Sequence, residues 1–328
     1  MVAPLRDHCE VDVSPFIADG FRVLEHGRMS HRALPLLCAA WLLACGDSSG
    51  TGGAGTAGNA SAGGAGAEGS GGSPSEGGAS VTGGGSSNGG SGNGGSAPSS
   101  GCGAAAAPGQ QDRTITVGAE TRSYSIRIPD PYDPAVAHPM VFALHGAGSN
   151  GAGAVGSTLT IGGIPSITVG PTAAGQFWNA AVDLPLVDAL VAALPQELCV
   201  DNAKLFAWGY SSGGFMANDI GCQRADVFRG IGLVDGGGSG LCQTPIGVWI
   251  THNQDDMTVP VSYGTGARDA WLQTNGCATT TTPTEPSPCV SYDGCSAGHP
   301  VVWCNPATGG HNPPGYTGQG LSLFFSSL

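Results

Sequence analysis

The chain has 328 residues, with 24 Asp and Glu against 11 Lys and Arg, for a formal net charge of −13. That balance excludes a nucleic-acid partner, because phosphate binding needs clustered Lys and Arg, and leaves an acidic surface whose main consequence is solubility. Composition also removes more than a quarter of the length from any fold, as follows in chain order.

Residues 1 to 28 carry charges unlike an export signal and read as a misassigned start. From Met29 the stretch "MSHRALPLLCAAWLLACGD" runs through a basic start, an apolar run and small residues, an export signal too short for a comfortable membrane span. Its end, Leu42-Leu43-Ala44-Cys45, resembles a bacterial lipobox, in which the cysteine is lipidated and becomes the mature N-terminus; an ordinary cleavable signal is the alternative. Residues 1–45 are therefore expected to be an extension and signal, and the protein to be extracellular or an outer-membrane lipoprotein that meets the membrane only through its anchor. From Gly46 to Gly101 the chain is almost wholly Gly, Ser, Ala, Thr and Asn, with only Asp47, Glu68 and Glu76 charged and no aromatic residue. Such a segment cannot bury enough apolar surface to offset the entropy of ordering, so residues 46–101 read as a tether.

Residues 102–328 are the folded part. "TITV" (114–117) and "YSIRI" (124–128) alternate like half-exposed strands. "MVFAL" (140–144), "LFAWG" (205–209), "IGLVD" (231–235) and "GVWIT" (247–251) are continuous apolar runs, as strands buried on both faces require, and "VVWC" (301–304) reads as a last strand. Between them "DLPLVDALVAALPQEL" (183–198) places Leu186, Val187, Leu190, Val191 and Leu194 at helical spacing, with Pro185 in a first turn and Pro195 near the end. "TGARDAWLQTNG" (265–276) ends on Asn-Gly, a helix stop, and "TGQGLSLFFSSL" reads as a closing helix. Strands alternating with helices predict an α/β fold with a mostly parallel sheet flanked by helices. Eight cysteines remain once Cys9, Cys38 and Cys45 are set aside, and an even number in an exported domain points to disulfides whose pairing the sequence leaves open. No C-x-x-C or tight Cys/His spacing supports zinc, so no metal or cofactor is expected.

One short stretch carries chemistry. Gly209-Tyr210-Ser211-Ser212-Gly213 matches G-x-S-x-G, as do two tether stretches, but only Ser211 follows a buried strand and precedes a helix-compatible segment, the context in which such a serine is presented as a nucleophile. A serine hydroxyl needs a base, and the base needs an acid that holds its tautomer. In that fold the order along the chain is Ser, acid, His. For the acid, Asp255 and Asp256 compete in "THNQDDMTVP" (251–260), against a bland role as a solvated turn, with Asp235 at the end of the preceding strand as a third candidate. For the base, His311 stands in "ATGGHNPPG" (307–315), between the last strand and the last helix; His252 and His299 fit less well, and His145 reads as structural. "LHGAG" (144–148) would supply the N–H of Ala147, and the elbow that of Ser212, as an oxyanion hole.

Together "FALHGAG", "ELCVDNAKLFAWGYSSGGFMANDIGCQRADVFRGIG", "THNQDDMTVPVSYG" and "CVSYDGCSAGHPVVWCNPATGGHNPP" resemble the secreted carbohydrate esterases related to feruloyl esterases, acetylxylan esterases and polyhydroxybutyrate depolymerases. The resemblance spans Cys102 to the C-terminus, and its cysteine-rich last segment is closest to the feruloyl esterase branch. It implies an α/β-hydrolase fold and a metal-free serine esterase. The family's H-G-x-x-D-x-x-V-P loop falls on His252 to Pro260, with Asn253 in place of the usual glycine; this puts the acid on Asp256, the base on His311 and the nucleophile on Ser211. The implied substrates are plant cell-wall polysaccharide esters, with polyester or acetylxylan as alternatives, acted on by a monomer. Phe177, Trp178 and Tyr263 are candidates to stack on a cinnamoyl ring or to sit in the core. A scaffold kept only for surface binding is the reading from another class, since fold does not guarantee function; the presence of nucleophile, acid, base and oxyanion segments in order speaks against it.

Overall fold

The computed structural model describes residues 98–238 and 240–328. The stretch expected to be an export signal, with Met29 and Cys45, and residues 46–97 of the expected tether lie outside the described residues. The elements in chain order are β1 (Gly109–Val117), β2 (Glu120–Ile128), β3 (His138–Leu144), α1 (Gly151–Ala154), β4 (Thr160–Ile161), β5 (Ile164–Pro165), β6 (Ile167–Pro171), α2 (Ala180–Glu197), β7 (Val200–Tyr210), α3 (Ser212–Gln223), β8 (Gly230–Val234), β9 (Gly247–Thr251), α4 (Val261–Thr274), β10 (Thr281–Pro283), β11 (Cys289–Tyr292), β12 (Val301–Cys304) and α5 (Thr317–Ser326).

Ten strands form one sheet in the order β1-β2-β6-β3-β7-β8-β9-β12-β11-β10. The centre, from β6 to β12, is parallel throughout, and antiparallel pairs close both edges. The apolar runs divide between two layers because successive side chains of a strand point to opposite faces. Met140, Phe142 and Leu144 of β3, Leu205 and Ala207 of β7, and Val248 and Ile250 of β9 pack under α2, α3 and α4 with Leu186, Met216, Ile220 and Trp271. Val141, Phe206 and Trp249 from the same strands face α5, against Leu321, Phe324 and Phe325. The edge strand β1 alternates half-buried and exposed residues along its whole length, as a one-sided strand should.

Several boundaries differ from expectation for local reasons. Helix α2 starts at Ala180 because Asn179 caps it, its Oδ1 accepting from the N–H of Ala181, so Pro185 lies beyond the first turn. Helix α4 starts at Val261, directly after Pro260, and ends at Thr274, capped by Asn275 and followed by Gly276, whose φ of 66° favours glycine. Strand β6, for which the sequence shows no strand signal, has Ile167 and Val169 fully buried between β2 and β3. The packed structure also takes in residues that composition assigns to the tether. The Ser99 hydroxyl donates to Leu198 O (2.7 Å) and accepts from Val200 N (2.8 Å), and the Gly101 N–H donates to Pro195 O (2.9 Å).

All eight cysteines expected to pair do so: Cys102–Cys199, Cys222–Cys242, Cys277–Cys295 and Cys289–Cys304. The first closes 97 residues and ties the start of the packed chain to the start of β7. In the chain-entropy model such a bridge stabilises by roughly 4–5 kcal/mol. Four disulfides fit a protein that matures in an oxidising compartment.

Candidate active site

The C-terminal ends of five parallel strands meet at one edge of the sheet, where ligands bind in open α/β folds. Strand β3 runs into His145–Gly148, β7 into Ser211, β8 into Asp235, β9 into the loop 252–260 and β12 into the loop 305–316.

Ser211 is held at φ 55° and ψ −120°, in a region sparsely populated by residues with a side chain. The turn survives because its neighbours over-determine it. The Ser211 N–H donates to Val234 O (2.9 Å), and its carbonyl accepts from Gly214 N (2.8 Å). The two motif glycines are required by contact: a Cβ on Gly209 would lie 2.1 Å from Gly213 O, and one on Gly213 would lie 2.1 Å from Leu144 O. Hence strand, elbow and the loop after β3 touch backbone to backbone.

The structure brings Ser211, His311 and Asp256 together. His311 Nε2 lies 2.9 Å from Ser211 Oγ, and His311 Nδ1 lies 2.7 Å from Asp256 Oδ2. Because the carboxylate accepts from Nδ1–H, Nε2 is left as the acceptor facing the serine hydroxyl. Asp256 is buried, and burial alone would raise its pKa; the hydrogen bond from His311 and those from the N–H groups of Val259 and Thr258 outweigh burial and hold it below the ordinary carboxylate value. Both backbone bonds are 2.9 Å, so the loop 252–260 wraps one carboxylate oxygen and leaves the other to the imidazole.

The competing residues go elsewhere. Asp255 points to the outside of the same turn and accepts from Gly310 N at 2.7 Å. Asp235 is fully buried and accepts from the backbone N–H of Asn253 (3.1 Å); desolvation pushes its pKa up to about 6 against the pull of that bond. His252 is buried under α4 with Nδ1 facing Gly236 O (3.1 Å) and Nε2 facing Val259 O (2.8 Å). Asp235, His252 and Asp256 offer metal-ligand atoms within 4.8 Å of one another, but backbone and side-chain hydrogen bonds already engage each of them. His299 sits away from this edge beside Ser296.

Beside the serine, Ala147 N and Ser212 N donate to no acceptor among the described residues. His145 is structural in its contacts: Nε2 accepts from Ala173 N (3.1 Å) and Nδ1–H donates to Gly146 O (2.7 Å). Trp178 is tied down by its indole N–H to His145 O (2.8 Å), and its backbone N–H donates to Ser212 Oγ (3.1 Å). Its neighbour Phe177 is 62% exposed, and Tyr263, edge-on to Phe215, is 50% exposed. Both therefore offer an aromatic face to solvent near the elbow, whereas Trp178 is partly buried.

Three residues that no motif marks for a role in the site hold these groups in place. Asp183, at the start of α2, pairs with Arg122 (2.6 Å) and accepts from Ala174 N and Asn179 N, fixing the loop that carries Phe177 and Trp178. Tyr210, the x of the motif, and Asn253 both reach the His311 loop.

No protein-family model matches the chain. Feruloyl esterase C of Emericella nidulans is 30% identical over 237 residues, which cover 66% of this chain and 84% of that protein. The chain belongs to the feruloyl esterase family. Feruloyl esterase D of Neurospora crassa is 28% identical over 242 residues, covering 66% and 83% of the two chains. Among solved structures, an acetyl xylan esterase from Aspergillus awamori superposes with a TM-score of 0.51 at 14% identity, covering 66% of this chain and 100% of that one. A feruloyl esterase module from Clostridium thermocellum, complexed with sinapinate, gives the same TM-score and identity over 71% and 94%. At this identity the two structures speak for the shared α/β-hydrolase fold alone, while the family rests on the sequence relatives.

Proposed function

We propose that the chain is an exported serine esterase that releases hydroxycinnamic acids from plant cell-wall polysaccharide. The carrying observation is the relay from Asp256 through His311 to Ser211, with contacts of 2.7 and 2.9 Å, in a chain of the feruloyl esterase family.

In this reading His311 Nε2 takes the proton of Ser211 as Oγ attacks the ester carbonyl, and Asp256 stabilises the resulting imidazolium. The carbonyl oxygen, now an oxyanion, accepts from the N–H groups of Ala147 and Ser212; each such donor contributes about 2.7–4 kcal/mol to the transition state. As the tetrahedral adduct collapses, His311 protonates the departing sugar alcohol and leaves Ser211 acylated. Water, deprotonated by the same imidazole, then attacks the acyl-enzyme, releases the carboxylic acid and restores the serine. The exposed rings of Phe177 and Tyr263 support an aromatic acyl group over an acetyl one, because neither is committed to the core and each is free to stack. Lipidation at Cys45 and a tether over residues 46–97 would hold the esterase domain at a cell surface within reach of an insoluble polymer.

Side-by-side hydrolysis of methyl ferulate, acetylated xylo-oligomers and a short hydroxybutyrate oligomer tests the reading. Ferulate is expected to give the highest kcat/KM, and a preference for either other ester would move the protein to that branch.

A further inference from the structure

The loop 305–316 carries His311 without any regular secondary structure, so the aim of the imidazole depends on what grips the loop backbone. Three successive carbonyls around the base are gripped by side chains from outside the loop. The amide nitrogen of Asn253 donates to Gly310 O (2.9 Å) and to Asn312 O (2.8 Å), and the Tyr210 phenol donates to His311 O (2.6 Å). Asn253 is 1% exposed, and the same nitrogen lies 3.3 Å from both carboxylate oxygens of Asp235. All four neighbours are acceptors, so the amino group and not the amide carbonyl must face them. The two amide hydrogens go to the nearer Gly310 and Asn312 carbonyls, so the side-chain contact with Asp235 is the weaker part of a shared bond; Asp235 holds the residue chiefly by accepting from its backbone N–H (3.1 Å). The fit is close on the loop side, since a Cβ on Gly309 would lie 2.4 Å from Asn253 Oδ1.

We infer that Asn253, held by Asp235, is a positioning residue for the catalytic base: it bridges the end of β9 to the carbonyls on either side of His311 and so keeps Nε2 aimed at Ser211. The inference rests on the role given to His311 above. Asp235 has no other side-chain hydrogen-bond partner among the described residues. Asn253 is buried and makes no hydrogen bond to Ser211, so its effect on rate passes through His311. The transition state, in which the imidazole must both receive and return a proton, is more sensitive to that aim than substrate binding is.

The test is steady-state hydrolysis of methyl ferulate and of p-nitrophenyl acetate by the full chain carrying Asn253→Ala, in otherwise unchanged and in His311→Ala backgrounds. In the unchanged background kcat should fall roughly 10- to 100-fold, with KM within about twofold, as for a misplacement on the order of an ångström. In the His311→Ala background the residual rate should fall no further, because the residue Asn253 positions is gone. A kcat within twofold of the parent, or an equal loss in both backgrounds, would overturn the inference. Should Asn253→Ala not fold, Asn253→Asp keeps the shape and removes the donors, and the same outcomes apply to it. Activity on the acetate but not the ferulate ester would sink the substrate reading and leave this inference standing; inactivity of the parent on both would sink both.

Discussion

The phenol of Tyr210 donates a 2.6 Å hydrogen bond to the backbone carbonyl of His311, and its ring leans on the imidazole with centroids 5.1 Å apart. Tyr210, the residue before Ser211, thereby holds the loop that carries His311. Burial, followed by the charges of Asp235 and Asp256, raises the phenol above its ordinary pKa, so it remains a donor throughout the working range of an esterase. Tyr210→Phe keeps the ring and deletes one hydrogen bond of about 0.5–1.5 kcal/mol, so kcat should fall about 2- to 13-fold. KM should stay within twofold in the same assay.

Asp256→Asn should be far more damaging than Asp255→Asn. An amide at Asp256 can accept the Nδ1 proton but no longer stabilises the imidazolium, and it can also present a donor that favours the wrong tautomer. Loss of the equivalent charge in a serine-protease triad costs about 10⁴-fold in kcat, and a loss of that order is expected here. Asp255 bonds only Gly310 N, and an Asn there keeps an oxygen that can accept the same bond, so its amide variant should lose less than about tenfold, within the scale of one neutral hydrogen bond. Reversal of that order in steady-state rates would move the acid to Asp255.

Asp183→Asn should destabilise the fold. Arg122 and Asp183 are 8% and 1% exposed, so removal of one charge leaves the other buried and uncompensated, at about 3–5 kcal/mol. The Asn179 and Ala174 N–H groups that share the carboxylate would feel the change as well. Urea denaturation at neutral pH measures the loss, and a midpoint equal to the parent's would contradict it.

Asp235 should make stability depend on pH in a defined direction. Its folded pKa of about 6 lies above the ordinary 3.8, so the folded state binds the proton more tightly than the unfolded chain does. Its contribution is complete below about pH 4 and is lost as pH rises through 6, after which the ionised buried carboxylate costs up to ~3 kcal/mol, from about two pKa units at 1.36 each. Asp235→Asn stays neutral and should gain on the parent between pH 4 and 7 in denaturation experiments. A difference that does not change with pH would show that Asp235 does not titrate in that window.

Much of the central sheet was readable because β3, β8, β9, β12 and the second half of β7 are short apolar runs, as strands buried on both faces require. β6 escaped because Ile167–Pro171 is short and set among Gly and Pro, and β10 and β11 because their residues are largely polar and exposed or half-buried at the sheet edge. Ser211 and His311 could be picked out by chain order and by the strand before the elbow. Adjacent aspartates could not be separated by spacing, since Asp255 and Asp256 differ only in which side of one turn they face. The contacts of Asn253 with Gly310 and of Arg122 with Asp183 join residues 57 and 61 positions apart, and no local pattern announces such pairs. Asn253 did carry one signal, as a side chain where the motif has glycine.

The most direct test of the Ser211–His311 unit is the mass and rate of labelling by a p-nitrophenyl phosphonate ester. A single adduct on the peptide that contains Ser211, formed at least ~100-fold more slowly in His311→Ala, is the expected result, in line with loss of a general base. Labelling at another residue, or a rate indifferent to His311, would contradict the assignment of nucleophile and base.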